Sequence, residues 1–323
     1  MRSQPAWSRI CAHCACDAGA HGQSAVTGQQ RAYVSAGTAI LFWATVATAF
    51  KLCLQTLGVL ELLAVSSLTS CLVLSVVLAA TGSLRNIFAW PPRAYLRSMG
   101  LGALNPLLYY LVLFKAYALL PAQEAQPLNY TWPVVLVLFS VLFLRQRATW
   151  WVFAALAVSF SGVAVISTHG DVFALRFTNL LGVGLAVGSS AIWATYWILA
   201  MRDDRDPIER LLVNSLFGTL FVLVLTLASG QLRVPPLAGV LGGMYVGCFE
   251  MGVTFVLWVR ALKQAENTAL VSNLVYLAPF LSLVVIHFVL GEEVKASTIA
   301  GLLLIVGGIG VQRFAPKERA LRH

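Results

Sequence analysis

Residues 279–292 read PFLSLVVIHFVLGE, and residues 133–146 read PVVLVLFSVLFLRQ. Each stretch opens with a proline, continues as an apolar run and ends on Glu or Gln thirteen residues after the proline. A glycine, Gly308 or Gly162, follows sixteen residues beyond that polar residue. Two distant stretches with the same spacings indicate that the chain contains an internal repeat.

A second pair of matching segments supports the repeat. The triplet WAT occupies residues 43–45 and again residues 193–195, at an offset close to that between the two prolines. We therefore expect one repeat unit at residues 33–168 and the other at residues 178–315.

The composition of the chain indicates that these repeats lie in a membrane. Hydrophobic residues make up 59% of the 323 residues and charged residues 11%, and the mean hydropathy is +0.80. Such a chain would expose too much apolar surface in water, whereas a membrane span needs roughly 20 mainly apolar residues. Ten stretches of suitable length are predicted as spans: 33–54, 57–81, 98–120, 121–144, 149–168, 178–201, 208–229, 236–259, 267–290 and 297–315.

Each repeat unit holds five of these stretches, and this odd number decides the topology. The second unit enters the membrane from the side opposite to the first. We therefore predict an all-α membrane protein whose ten transmembrane helices form two inverted five-helix repeats. Inverted repeats can pack in two alternative ways, open to either side, which is the physical basis of alternating access.

The positive charges select an orientation in the membrane. Of the 22 Lys and Arg residues, seventeen fall on the side of the N-terminus and three, Arg176, Arg233 and Lys295, on the other. Lys51 and Lys115 lie within the predicted spans. The positive-inside rule therefore predicts a multi-pass protein of the bacterial inner membrane with both termini in the cytoplasm. Charges confined to short loops do not favour nucleic-acid binding.

The two ends of the chain are interpreted as cytoplasmic extensions. We expect residues 1–32 to be disordered and residues 316–323 to form a basic tail. The run CAHCAC at residues 11–16 looks like part of a metal site. Zinc sites normally draw four ligands from two separated pairs, and no second pair follows before the first predicted span. We therefore expect neither a metal site nor a cofactor.

The second half of the chain resembles a known family. Residues 279–310 read PFLSLVVIHFVLGEEVKASTIAGLLLIVGGIG, an apolar run after proline that ends in LGE and continues into a small-residue helix. This pattern and the preceding residues 255–279 resemble the EamA repeat of the drug/metabolite transporter superfamily. The resemblance covers about residues 33–314 and implies the ten-helix inverted fold of a secondary transporter.

The first half departs from this pattern, because Gln146 stands where the family usually has Glu. NYTWP at residues 129–133 is similar to the Asn-Tyr-x-Trp-Pro motif in the fourth helix of the aromatic amino acid exporters of the superfamily. In those exporters the central cavity is aromatic and includes the Tyr and Trp of the motif. The resemblance implies that Tyr130 and Trp132 bind the solute, with Trp193 in the corresponding sixth helix.

The residues themselves also point to a solute site near the third and fourth stretches. Asn105-Pro106 interrupts the third, and the fourth begins PAQEAQPLNYTWP at residues 121–133. Transporter sites lie near the bilayer midplane where helices are interrupted. Two motif rings that are two residues apart can both face inward only if the helix is disturbed there. The predicted solute-binding residues are the rings and amides around these breaks: Tyr109, Tyr110, Asn129, Tyr130, Trp132, Trp193, Tyr196, Asn273 and Tyr276.

Several ionisable residues lie in or near the spans. Glu250 is the deepest acid, and a charge at that depth costs roughly 2.5 to 3.5 kcal/mol on insertion scales. It is expected either to line the pathway and take part in coupling, or to be a structural acid. Lys51 and Glu61 approach the same outer face, where they can pair or snorkel, and Lys51 matches a Lys that recurs in the family's first helix. Glu124 matches an acid before the motif of the similar exporters or caps the fourth helix. Glu292 and Glu293 lie in a predicted extracytoplasmic loop and are interpreted as a helix cap.

The sequence contains no P-loop, HExxH motif or serine elbow, so ATP hydrolysis by this chain is not expected. The main hypothesis is a secondary transporter or facilitator that exports amino acids, aromatic ones above all. Export of other metabolites or drugs is the alternative within the same fold. Alternatives of other classes are a membrane-embedded enzyme that uses Glu250 and His287, and a scaffold or receptor. The expected partners are a small-molecule substrate and the lipid bilayer, with a monomer as the simplest assembly.

Overall fold

The computed structural model describes residues 28–144, 150–173, 177–230 and 235–311. The regular elements in these ranges are helices: α1 Gly28–Cys53, α2 Val59–Ala80, α3 Pro92–Gly102, α4 Tyr109–Leu119, α5 Ala122–Asn129, α6 Trp132–Leu144, α7 Trp150–Ser167, α8 Leu180–Met201, α9 Pro207–Ala228, α10 Leu237–Phe249, α11 Val253–Gln264, α12 Thr268–Asn273, α13 Ala278–Leu290 and α14 Ala296–Val311. The predictions for the CAHCAC run, Gln146 and the basic tail concern residues outside these ranges.

Eight helical segments of the described chain are long and apolar enough to cross a membrane, and two apolar helices are shorter. Each of the ten overlaps one of the ten predicted stretches. The all-helical, multi-span prediction is therefore confirmed for eight spans, whereas the count of ten stays a prediction. The eight segments are Gly28–Cys53, Val59–Ala80, Pro92–Leu119, Ala122–Phe143, Leu180–Met201, Pro207–Ala228, Leu237–Gln264 and Leu270–Leu290, and the shorter ones are Phe153–Ser167 and Ala296–Val311.

The first helix begins earlier than the sequence suggested. Helix α1 starts at Gly28, so residues 28–32 belong to it and not to the predicted disordered extension. The side chain of Gln29 accepts hydrogen bonds from the backbone N–H groups of Glu266 and Asn267, at 2.9 and 3.2 Å. Ala32 is buried in the same region. Contacts with a distant loop therefore hold this first turn in helical form.

Four of the membrane segments are interrupted near their middle. In the segment that contains α3 and α4, Asn105 leaves helical geometry with φ −146° and ψ 117°. The segment of α5 and α6 breaks after Asn129, and that of α10 and α11 breaks between Phe249 and Val253. The segment of α12 and α13 contains a short 3-10 turn, Leu274–Leu277.

The helices of the two halves of the chain pack in exchanged pairs. Helix α1 packs on α11 and α13, and α8 packs on α4 and α6. Helix α2 packs on α9 and α10, and α9 packs on α2 and α3. Helices α7 and α14, the last of each half, pack on each other through glycines: a Cβ atom at Gly162 would lie 2.5 Å from the Gly301 carbonyl oxygen. Small residues at such crossings let helix backbones approach closely.

Candidate functional site

A cavity of about 280 Å³ lies among the interrupted segments. Its wall is mostly aromatic, and it carries few polar groups. The aromatic lining residues are Trp43, Phe50, Tyr109, Tyr117, Tyr130, Trp132, Trp193, Trp197, Phe255, Trp258 and Tyr276. Its hydrogen-bonding or charged side chains are Gln126, Asn129, Glu250 and Ser272, besides the tyrosines and tryptophans. Apolar walls with a few placed polar groups are typical of small-molecule sites.

The structure brings six of the nine predicted solute-binding residues to this wall: Tyr109, Asn129, Tyr130, Trp132, Trp193 and Tyr276. Both motif rings reach the cavity because the chain bends between α5 and α6. Tyr130 follows the last turn of α5, and Trp132 is the first residue of α6. The helix is therefore disturbed at this turn. The turn directs into the cavity two rings that ideal helical spacing would place on different faces.

The other three predicted solute-binding residues, Tyr110, Tyr196 and Asn273, do not line this cavity. Tyr110 lies behind the wall with 1% of its surface exposed, and its hydroxyl donates to Glu250 Oε1 at 3.0 Å. Tyr196 stacks on Trp193 from behind, with ring centroids 5.6 Å apart, and lines a neighbouring cavity instead. Asn273 ends α12 and does not line the cavity either. These residues support the wall or neighbour it, because each helix presents only one face to the cavity.

Six rings of the wall were not predicted: Trp43 and Phe50 from α1, Tyr117 from α4, Trp197 from α8, and Phe255 and Trp258 from α11. Trp43 lies 5.3 Å from Trp258 and 5.9 Å from Phe255, centroid to centroid. Phe255 in turn lies 5.8 Å from Trp193. A signal for Trp43 was present in the sequence, because its WAT triplet recurs around Trp193. Trp43 and Trp193 occupy equivalent positions in the two repeat units, and both line the same cavity.

The amide of Asn129 is fixed by two neighbours. Tyr109 Oη donates to Asn129 Oδ1 at 3.3 Å, and Asn129 Nδ2 donates to Ser189 Oγ at 2.8 Å. Gln126 accepts a hydrogen bond from the Tyr117 hydroxyl. The polar groups on this side of the cavity are therefore neutral and already oriented by the protein.

Glu250 lines the cavity at a break in the membrane segment. It follows the last residue of α10, and Met251 and Gly252 separate it from α11. Within the described chain, no Lys, Arg or His lies in the wall beside it. Glu250 therefore lies in the cavity wall, and the choice between a role on the pathway and that of a structural acid stays a prediction.

Lys51 and Glu61 do not form the ion pair that their shared outer face allowed. Lys51 Nζ donates to the carbonyl oxygens of Tyr117 and Leu120, at 2.9 and 2.7 Å, and so caps the C-terminus of α4. Glu61 Oε2 accepts from the N–H of Gly58 at 2.7 Å and caps α2. Both charges are used at helix ends, where the helix dipole favours them, and Lys51 is not in the cavity wall.

Glu292 caps a helix of the other half, as predicted. Its two carboxylate oxygens accept hydrogen bonds from the N–H groups of Ala122 and Gln123, at 3.0 and 3.1 Å. Glu124 does not cap its own helix. It is buried away from the cavity, accepts from Thr178 Oγ1 at 3.1 Å and lies 3.6 Å from the ring of His169.

A second cavity of about 290 Å³ adjoins the first. The two share Trp197, Phe255, Trp258 and Leu262 in their linings. The second cavity extends to Arg210 in α9 and Lys263 in α11, residues near the loop between α8 and α9. The second cavity therefore lies between the aromatic wall and this loop.

The acid–base pair of the enzyme hypothesis is not assembled in the described structure. His287 lies near the end of α13, and its Nδ1 is 3.1 Å from the carbonyl oxygen of Glu292. Glu250 lines the cavity, whereas His287 does not. The two side chains therefore do not share one site.

The chain is similar to known proteins in sequence and in fold. The sequence profile of the EamA-like transporter family matches residues 30–168 and, separately, residues 180–312. A probable terminal-alkyne amino-acid exporter of Streptantibioticus cattleyicolor is 31% identical over 193 residues, or 58% of this chain and 63% of the relative. The aromatic amino acid exporter YddG of Ancylobacter novellus is 26% identical over 283 residues, or 85% of this chain and 94% of the relative. A solved crystal structure with 23% identity has a TM-score of 0.63, covers 88% of this chain and 96% of its own, and resembles it in fold.

Proposed function

Because this chain belongs to the EamA-like transporter family, we propose that it is a secondary transporter or facilitator that exports amino acids, aromatic ones above all. The observation that carries the proposal is the cavity with eleven aromatic side chains in its wall. Stacked or edge-to-face aromatic pairs contribute about 0.5 to 1.5 kcal/mol each beyond area burial. A solute with an aromatic ring would gain this contribution at several places on the wall.

The proposal includes a membrane architecture of ten spans in two inverted halves, at residues 33–168 and 178–315. The exchanged packing pairs support it, since the contacts of α1 with α11 and α13 and of α2 with α10 have counterparts in those of α8 with α4 and α6 and of α9 with α3. The paired interruptions support it as well. The offset between Pro133 and Pro279 carries Asn105, at the break before α4, onto Met251, at the break before α11.

We further propose that the protein lies in the bacterial inner membrane with both termini in the cytoplasm. The loop between α8 and α9, with its two arginines Arg202 and Arg205, would then face the cytoplasm, and the second cavity would lie toward that side. The opposite ends of the helices are joined by the caps of Lys51 and Glu292. This arrangement is the one expected for a cytoplasm-facing state of an alternating-access carrier.

Proteoliposomes provide the test of this proposal. Labelled phenylalanine, tryptophan, threonine and an organic cation would be measured in uptake and counterflow, with and without a proton gradient. We expect exchange of phenylalanine and tryptophan at rates above that of threonine. The amino-acid assignment fails if none of the three amino acids moves while the cation does.

A second substrate class is favoured by one observation among the relatives. The exporter of S. cattleyicolor is named for a terminal-alkyne amino acid, which is apolar but not aromatic. Counterflow with leucine and methionine in the same vesicles would distinguish a cavity selective for rings from one that takes any apolar amino acid.

A further inference from the structure

The charged groups in the cavity wall are of one sign. Glu250 is the single acidic side chain among the described lining residues, and no described Lys, Arg or His accompanies it. Lys51, a cation within the first span, is held by the carbonyl oxygens of Tyr117 and Leu120 and does not line the cavity. A solute in this cavity therefore meets one carboxylate and otherwise neutral groups.

Among the described residues, Glu250 is hydrogen-bonded to a neutral donor and forms no ion pair. Tyr110, itself 1% exposed, donates a hydrogen bond from its hydroxyl to Oε1 at 3.0 Å, and the Trp43 indole lines the same cavity. The Tyr110 hydroxyl is a neutral donor. It orients the carboxyl group but brings no positive charge, and among the described ion pairs none involves Glu250.

Aromatic rings line the same cavity as this acid. Trp43 contacts both Trp258 and Phe255, and Phe255 contacts Trp193. Aromatic faces attract cations, and the attraction is stronger when the cation is removed from water. A carboxylate in a cavity lined by rings therefore favours a ligand that carries an ammonium group next to an apolar body.

We propose that Glu250 and the rings of Trp43 and Trp258 bind the ammonium group of the transported solute. This inference rests on the proposed function and specifies which part of the solute is recognised. The solute class is a primary amine on an aromatic or other apolar body, which includes amino acids through their α-amino group. The carboxylate of an amino acid would meet only neutral donors, so it contributes less to selection than the amine.

The test compares analogues that keep one charged group each. Proteoliposomes that exchange labelled phenylalanine would be challenged with phenethylamine, which lacks the carboxylate, and with 3-phenylpropionate, which lacks the amine. Since hydrogen bonds to charged groups contribute about 1.5 to 3 kcal/mol, we expect phenethylamine to inhibit at concentrations roughly tenfold lower or more. Equal inhibition by the two analogues, or stronger inhibition by 3-phenylpropionate, would overturn the proposal.

Variants of Glu250 test whether the preference for phenethylamine depends on its carboxylate. Glu250→Gln should abolish the preference for the amine, whereas Glu250→Asp, which keeps the charge, should retain it. Glu266→Gln serves as the matched control, because Glu266 is exposed and outside the cavity lining. A Glu250→Gln protein that still prefers phenethylamine would refute the assignment. Gel filtration and thermal unfolding would establish that each variant is folded.

Direct binding separates this inference from the proposed function. Binding of labelled phenethylamine to the detergent-purified protein would be measured together with its competition by 3-phenylpropionate. If amino acids are not exchanged but the protein binds phenethylamine in a Glu250-dependent way, the amino-acid assignment fails and the amine site stands. If phenylalanine is exchanged but phenethylamine neither binds nor inhibits, the amine site fails and the exporter assignment stands.

Discussion

Trp193 lies at the centre of the cavity wall. Its ring stacks on Tyr109 at 4.6 Å and on Tyr196 at 5.6 Å, centroid to centroid. We expect Trp193→Ala to raise the half-saturating phenylalanine concentration in counterflow by roughly three- to tenfold, since an aromatic pair contributes about 0.5 to 1.5 kcal/mol. The physical reasons are the loss of ring surface in the wall and the loss of the stacking that holds the Tyr109 ring in place.

Trp150→Ala is the matched control for this variant. Trp150 is 75% exposed on α7 and is not in the cavity wall. The half-saturating concentration should stay that of the wild type. A similar rise in both variants would mean that loss of any tryptophan weakens the protein, and would remove the support for a ring in the solute site.

Asp203 ties the loop between α8 and α9 together. Burial raises the pKa of its carboxyl, but hydrogen bonds from Arg205 outweigh this and hold the pKa below the usual value of about 3.9. Arg205 Nε donates to Asp203 Oδ1 at 2.8 Å, and its guanidinium lies 4.3 Å from the centroid of the Trp90 ring. The loop is thereby joined to the segment before α3.

This depressed pKa predicts an acid-dependent stability. A carboxyl with a lowered pKa in the folded state stabilises the protein above its unfolded pKa and loses that contribution as pH falls through the folded pKa. The melting temperature of the purified protein should therefore fall below about pH 4, and Asp203→Asn should reduce that fall. Asp204→Asn, at an exposed neighbour, should leave the fall unchanged. Identical acid profiles for the two variants would contradict the role of Asp203.

At the residue level, the motif rings could be predicted and the rings of α11 could not. Tyr130 and Trp132 are marked by NYTWP and by the surrounding prolines. Trp258 carries no comparable local mark, because its place in the wall depends on how α11 packs against α1. The depth of Glu250 was readable from hydropathy, whereas its hydrogen bond from Tyr110 was not.

Among the elements, helix α5 depends on a cap from the other half of the chain. Glu292 accepts from the N–H groups of Ala122 and Gln123. Glu292→Ala should lower the free energy of unfolding by about 0.5 to 2 kcal/mol, as the loss of other N-terminal caps does. Thermal unfolding in detergent would measure the change. The adjacent Glu293→Ala is the control, since Glu293 contributes its backbone carbonyl to Gln123 and not its carboxylate; an equal loss there would rule out the cap.

The breaks in the helices were predictable to different degrees. Asn105-Pro106 and the prolines before Trp132 mark two of them directly in the sequence. The break before α11 contains no proline, and its sequence signal is the pair Met251-Gly252. Only alignment of the two repeats, which places Met251 opposite Asn105, would have pointed to it.

At the scale of the whole molecule, the sequence predicted the positions and order of the apolar helical segments but not their packing partners. Spacing and charge patterns are local, and they predict where a helix begins and which end faces the cytoplasm. The pairing of α1 with α11 and of α8 with α4 depends on shape complementarity across the membrane, which a hydropathy pattern does not contain. The cavity exists because these pairs form around the interrupted segments.

The central claim is that the aromatic cavity is the route of the solute, and one measurement tests it directly. A single cysteine would be introduced by Val275→Cys, at a cavity-lining position, in a variant from which the six native cysteines are removed. Counterflow of labelled phenylalanine would be compared before and after modification with a bulky maleimide. We predict that modification abolishes counterflow in this variant but not in its cysteine-free parent, and that unlabelled phenylalanine slows the modification. Unchanged counterflow through the fully modified protein would contradict the claim.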